Sequence, residues 1–355
     1  MIELDGSYLE GGGQIVRTAL ALSCITQKAF EVTNIRKGRK KPGLKNQHLF
    51  CIKALEELCN AKTGHAELGS EKLRFIPGKI KPKTLSIDIG TAGSISLLLQ
   101  SLFIPTIFAK SKIKIKITGG TDVSWSPQFD YLQQVIIPQL RKYADIETSL
   151  LKRGYYPKGG GTVEIKIKPK FNLENLEETP KIDLTEQHNI ILVKGISHAS
   201  SDLQEANVAE RQAKTARFIL SKLSCPIQIR TEYCQTLSTG SGITLWAIFS
   251  KDPEEIDALH PIRIGADILG ERGKRSEEIG KQAADKLLKE IESKAPVDQN
   301  LADNLIPFLA LMGGKIKTSE ITNHTLTNIY VCEQFLNTKF EVNQENKTIE
   351  AKLYK

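Results

Sequence analysis

One order of elements recurs three times in this 355-residue chain, and it restricts the fold more than any figure of composition. From Glu10 the apolar spacing predicts a helix over 13–25, a strand over 29–35, a helix over 44–60 and a hairpin-like pair ending near Pro77. From Leu85 it predicts a strand, a helix over 92–108, a strand over 113–118, a helix over 127–143 and a hairpin over 146–169. From Leu301 it predicts a helix over 303–312, a strand over 315–321, a helix over 325–337 and a hairpin over 339–354. An α-β-α-β-β plan repeated in this way implies copies of one supersecondary unit, each burying a sheet face under two helices. The run SKIKIKITG alternates strictly, so that strand has one dry face and one wet face.

Between the second and third copies the plan breaks. FNLENLEETPK has linker composition. A strand (NIILVKGIS), a helix over 203–223, strands over 227–234 and 242–249, a short strand over 260–266 and a charged helix over 276–293 follow. The expected class is therefore α/β (α+β), with a large three-repeat domain from 1–183 and 295–355 and a smaller inserted α+β domain from 184–294.

Composition excludes some functions. No apolar run approaches the roughly 18 residues of a membrane span, and the N-terminus shows neither the basic nor the apolar region of a signal peptide. The six cysteines form no CxxC pair and read as small buried hydrophobes in a reducing, cytoplasmic setting. A net charge of +8 is compatible with a polyanionic partner.

Where that charge sits is more informative. In EGGGQIVR a glycine turn opens a helix, so backbone can approach a phosphate at the positive helix end. Glu10 is a hard oxygen ligand suited to Mg²⁺ or Mn²⁺, and Arg17 lies one turn into the helix. A plain tight turn is the simpler reading of the glycines. IRKGRKKPGLKNQH packs Arg36, Lys37, Arg39, Lys40, Lys41 and Lys45 into one loop, either a solvated surface or a clamp for nucleic-acid phosphates, with Gln47 as a neutral donor after it. IGTAGSISLLLQ, ending at Gln100, is another small-residue turn running into an apolar helix. Trp125 and Pro127 can offer a flat surface to a base, but core packing is the expected place for Trp125. RGYYPKGGGTVEI is a glycine-rich hairpin, and in VDQNLADN the residues Asp298, Asp303 and Asn304 sit near a helix start, where Asp is usually an N-cap. ITNHTLTNIYVCEQFL places His324 at a strand-to-helix turn with Asn323 or Thr325 as cap, which suits phosphate contact. A capping or surface histidine is the plain alternative. Walker A, HExxH, GxSxG and zinc-like spacings are all missing.

Taken in order, EGGGQIVRTALALS, RKGRKKPGLKNQH, GTAGSISLLLQ, RGYYPKGGG and NHTLTNIYVCEQF resemble the RNA 3'-terminal phosphate cyclase family over essentially the whole chain. The resemblance implies three β-α-β-α-β-β units and an insert with thioredoxin-like elements between the second and third. It also implies ATP-dependent conversion of an RNA 3'-phosphate to a 2',3'-cyclic phosphate through a covalent histidine–AMP, with AMP and pyrophosphate released. His324 then matches the nucleophile, Glu10 the metal and triphosphate ligand, and Arg17, Arg39 and Gln47 the phosphate and RNA contacts. Gln100, Pro127, Asn300, Leu301, Ala302, Asp303 and Asn304 match the ATP pocket. Asn300 departs from the pattern, standing where bacterial relatives carry a tyrosine that packs on adenine. The implied partners are ATP and RNA with a 3'-phosphate end, with no membrane; oligomeric state is open, a homodimer included. Three other readings compete: a non-catalytic ribosome-biogenesis relative, which lacks the histidine; an enolpyruvyl transferase of similar plan; and a pure RNA-binding module.

Overall fold

The computed structural model describes residues 1–81, 83–252, 254, 257 and 261–354. The first copy is β1 (Ile2–Asp5), α1 (Gln14–Thr26), β2 (Phe30–Thr33), α2 (Asn46–Cys59), β3 (Lys62–Gly64) and β4 (Leu73–Ile76). The second is β5 (Thr84–Asp88), α3 (Ile95–Ile107), β6 (Ile113–Gly119), α4 (Phe129–Tyr131), α5 (Ile137–Leu140), β7 (Ala144–Lys152) and β8 (Gly161–Pro169). A π turn, Leu132–Ile136, joins α4 to α5. The third copy opens with β9 (Ile182–Leu184). The insert follows: β10 (Asn189–Ser200), α6 (Val208–Leu220), β11 (Ile227–Cys234), β12 (Ser241–Ser250), β13 (Ile262–Leu269) and α7 (Ser276–Glu292). The third copy resumes with α8 (Gln299–Met312), β14 (Gly314–Lys317), α9 (Asn323–Phe335), β15 (Thr338–Asn343) and β16 (Thr348–Leu353).

The three copies share one topology. Their sheets run β1-β2-β4-β3, β5-β6-β8-β7 and β9-β14-β16-β15. In each, the first strand pairs parallel with the second, the second antiparallel with the last, and the last antiparallel with the third. A parallel pair needs a crossover, which α1, α3 and, beyond the insert, α8 provide; a hairpin then closes the sheet. In β6, Ile113, Ile115 and Ile117 are buried while Lys114 and Lys116 face solvent, as the alternation predicts. Helix α1 packs on α3 and α9, and α8 on α9, so helices from all three copies meet in the interior.

Two differences from the sequence reading concern position. The insert interrupts the third copy after β9 rather than preceding it, because Ile182 and Leu184 register with Gly314 and Ile316. A three-residue strand is too short to show a period of two. The expected helix over 203–223 is α6 alone, entered through Asn207 in the left-handed region (φ 49°). The expected strand over 260–266 is β13; His260 lies outside the described residues.

The insert sheet, β11-β10-β12-β13, carries α6 and α7 packed on each other. It also meets the second copy: an added Cβ at Gly265 of β13 would lie 2.7 Å from Val135 Cγ2 and 2.8 Å from Tyr131 Cε2. Arg153 binds Asp122 (3.2 Å), Asp130 (2.7 Å) and Glu232 of β11 (2.5 Å), a fully buried guanidinium satisfied by three carboxylates. Removing one partner of such a network strands a buried charge. Among the described residues no helix is long and apolar enough to cross a membrane, and all six cysteines are free.

Candidate active site

A cavity of about 810 Å³ opens where the three copies and the insert meet. Helix α9 begins at its edge. Thr322, rather than Asn323 or Thr325, is the cap: its backbone is extended (φ −85°, ψ 165°) and its hydroxyl accepts from the Thr325 N–H at 3.1 Å, whereas Asn323 is already helical. His324 is therefore in the first turn, at the positive end of the helix. Its side chain is half-exposed into the cavity and its Nε2 lies 3.3 Å from Glu10 Oε2. Gln14 Nε2 donates to the His324 carbonyl at 2.8 Å, tying α9 to the start of α1. Burial lowers the imidazole pKa below its ordinary value; Glu10 opposes this, and Arg17 and Arg39 add to it. The balance favours the neutral ring.

The α1 end of the cavity matches its sequence. Gly12, Gly13, Gln14 and Arg17 line it, and the first turn of α1 has neither a side-chain cap nor an acidic residue. Its free N–H groups suit an anion. Gly13 is needed for a different reason from phosphate approach: an added Cβ would overlap His48 Nε2. His48, unremarked in the sequence, is buried, accepts from the Lys45 N–H through Nδ1 (2.9 Å), and has its pKa pushed down by burial to about 3.

Glu10 Oε2 is also 3.5 Å from Arg39 Nη2. In the basic loop, Arg36 donates to the Lys41 and Gly43 carbonyls (3.0 and 3.2 Å) and Lys45 to Pro42, so these two shape the loop. Arg39 turns to the cavity, and Lys37, Lys40 and Lys41 face solvent. Arg17 Nε donates to Gln100 Oε1 (3.3 Å), Gln100 Nε2 to Asn304 Oδ1 (3.0 Å) and Asn304 Nδ2 to the Asn300 carbonyl (2.7 Å). Arg17, Gln100, Asn300 and Asn304 thus reach the cavity as one chain. Asp303 Oδ1 accepts from Thr322 (3.0 Å) and Thr325 (2.6 Å), and its carbonyl from Asn328 Nδ2 (2.8 Å). It props the first turn of α9, and burial pushes its carboxyl up to about 7.

Asp298 caps α8, accepting from the Asn300 and Leu301 N–H groups, and is held by Tyr131 Oη (2.6 Å) and the Gly265 N–H (2.9 Å). Pro127 lines the cavity, followed from the insert side by Asp267 and Lys286, which lie 3.4 Å apart. Gln47 does not line it: its amide is spent on both backbone groups of Ser94 (2.7 and 3.0 Å). Leu301 and Ala302, both within α8, are fully buried and do not line the cavity. Trp125 is not in the core; it is 98% exposed at the cavity rim, with φ 67°. Gln14, Asn328, Asp267 and Lys286 were not read from the sequence. Gln14, between the glycines and Arg17, and Asn328, one turn after His324, had a nearby signal.

A family model described as RNA 3'-terminal phosphate cyclase matches residues 8–342. The RNA 3'-terminal phosphate cyclase of Pyrococcus furiosus is 50% identical over 343 residues, 96% of this chain and 95% of that one. Its namesake in Pyrococcus abyssi is 47% identical, covering 97% and 96%. That of Methanosarcina acetivorans is 43% identical, covering 99% of both chains. With the repeat topology and the cavity, these matches show that the chain belongs to the RNA 3'-terminal phosphate cyclase family.

Proposed function

We propose that this chain uses ATP to convert an RNA 3'-phosphate end into a 2',3'-cyclic phosphate, with His324 as the nucleophile. One observation carries the reading: a half-exposed imidazole at a helix N-terminus, its pKa pushed down by burial, shares a cavity with Glu10, Arg17 and Arg39. Attack takes the tautomer protonated on Nδ1, whose Nε2 lone pair forms a bond to the α-phosphorus of ATP as the bond to pyrophosphate breaks. Arg17, free of carboxylates among the described residues, and the open N–H groups of α1 offset charge on the transferring phosphates. An oxygen of the RNA 3'-phosphate then displaces the imidazole, giving a phosphoanhydride to AMP. The adjacent ribose 2'-OH attacks the RNA phosphorus, loses its proton and expels AMP. That last step is intramolecular, so held geometry supplies much of its rate.

Glu10 is the hard oxygen donor beside the place for the phosphates. One carboxylate plus phosphate oxygens suits Mg²⁺ or Mn²⁺. A cation there would neutralise charge on the leaving pyrophosphate. We also propose that 1–183 with 295–355 form the catalytic body and 184–294 the insert, with Leu184 shifted to the body by its pairing in β9.

ATP radiolabelled on the α-phosphate should mark the chain with an acid-labile, alkali-stable bond, and RNA with a 3'-phosphate should discharge it. Equal labelling of the His324→Asn variant would refute the assignment.

A further inference from the structure

The cavity has two chemically distinct parts. His324, Glu10 and Arg39 are joined by close contacts, and beyond the Gln100–Asn304 pair Phe103 and Phe308, one turn further along α3 and α8, give the lining an apolar part. Phosphates belong at the first and a purine at the second. Trp125 lines the cavity beside Pro127, and the next residue, Gln128, donates its N–H to Asp267 at 2.8 Å, which puts this segment on the insert side of the lining. A lone exposed apolar side chain is ordinary. A tryptophan 98% exposed, held in the left-handed region and lining the cavity, is a ring presented rather than stored.

We propose that Trp125 is a stacking wall of the nucleotide site and takes the adenine of ATP on its indole face. This rests on the reading of the cavity as an ATP site. It also fits the backbone: Ser126 Oγ donates to the Val123 carbonyl at 3.0 Å, closing the turn beneath the ring. Stacking tolerates any base, so selection among nucleotides falls to polar groups of the same lining, Asn300 and the Asp267–Lys286 pair.

The test uses α,β-methylene-ATP, whose carbon bridge blocks transfer, with MgCl₂. The chain has two tryptophans, and Trp246 is buried, so a change in emission reports Trp125. Titration should quench emission saturably in the parent. By calorimetry, Trp125→Ala should weaken binding about 5- to 20-fold and Trp125→Phe less. Tripolyphosphate, which has no base, should bind all three alike. Circular dichroism confirms that the variants fold. Equal affinity of parent and Trp125→Ala would overturn the stacking role and leave the ATP site standing. Quenching by RNA bearing a 3'-phosphate, with none by the nucleotide, would overturn the adenine assignment in favour of an RNA base. Failure of the parent to bind either ligand would overturn this inference together with the proposed function.

Discussion

Replacing Gly13 by alanine isolates one steric contact that holds the N-terminal end of α1 at the cavity. The backbone at Gly13 is right-handed helical (φ −64°, ψ −11°), which alanine adopts without strain. Alanine gains about 0.4–1 kcal/mol by restricting the unfolded chain and loses a similar amount as a poorer N-cap than glycine, so the backbone effect nearly cancels. The clash remains. The new Cβ would overlap His48 Nε2 and lie 3.0 and 3.1 Å from Cδ2 and Cε1, with the ring pinned by the Lys45 N–H. Overpacking of this kind costs about 1–3 kcal/mol. His48→Ala alone should cost about 2–3 kcal/mol, from the lost ring contacts and the unpaired Lys45 N–H. In the double variant the methyl enters the space the ring leaves, so the two costs should fall short of additive by about 1–2 kcal/mol. Apparent melting temperatures of the four proteins supply the cycle, and labelling by ATP shows whether α1 moves. Strict additivity, or a Gly13→Ala chain as stable as the parent, would show that the contact is not a constraint.

The pH profile of labelling should have its acid limb below the ordinary imidazole value of about 6.5, because burial, Arg17 and Arg39 favour the neutral, nucleophilic ring. Arg17→Ala removes a cation and should move that limb to higher pH; a profile unmoved or shifted down contradicts the electrostatics. Arg39→Ala should slow discharge of the label to RNA by about 10-fold or more while sparing self-labelling, as expected of a charge-assisted phosphate contact worth about 1.5–3 kcal/mol. Equal loss in both steps would remove its assigned role. Asp298→Ala leaves Tyr131 Oη and three backbone N–H groups without their acceptor, and should destabilise by about 3–5 kcal/mol in thermal unfolding. A loss under 1 kcal/mol would mean the α8 cap is not needed.

What the sequence disclosed follows the range of the physics. The repeats were legible because helices such as α8 and strands such as β6 carry their periodicity locally. The first strands β1 and β9, four and three residues long, carry none, and they declare themselves only through pairing. At the site, His324, Glu10, Arg17 and Arg39 were legible because each lies in or beside a turn at a helix start. Gln47 was placed at the phosphates, but its amide found Ser94 first. Trp125 was expected inside because tryptophan is apolar; no local pattern shows that its turn projects it outward. Asp267 and Lys286 come from the insert, and no sequence period records which faces of two bodies meet.

The central claim is that one imidazole carries the nucleotide. Incubating the chain with ATP and MgCl₂, digesting it at neutral to alkaline pH and mapping peptides by mass spectrometry tests it directly. The account predicts one adenylyl adduct on the peptide spanning α9, at His324, lost on mild acid treatment. An adduct on a lysine, on another of the six histidines, or on no residue while RNA ends are still cyclised would contradict it.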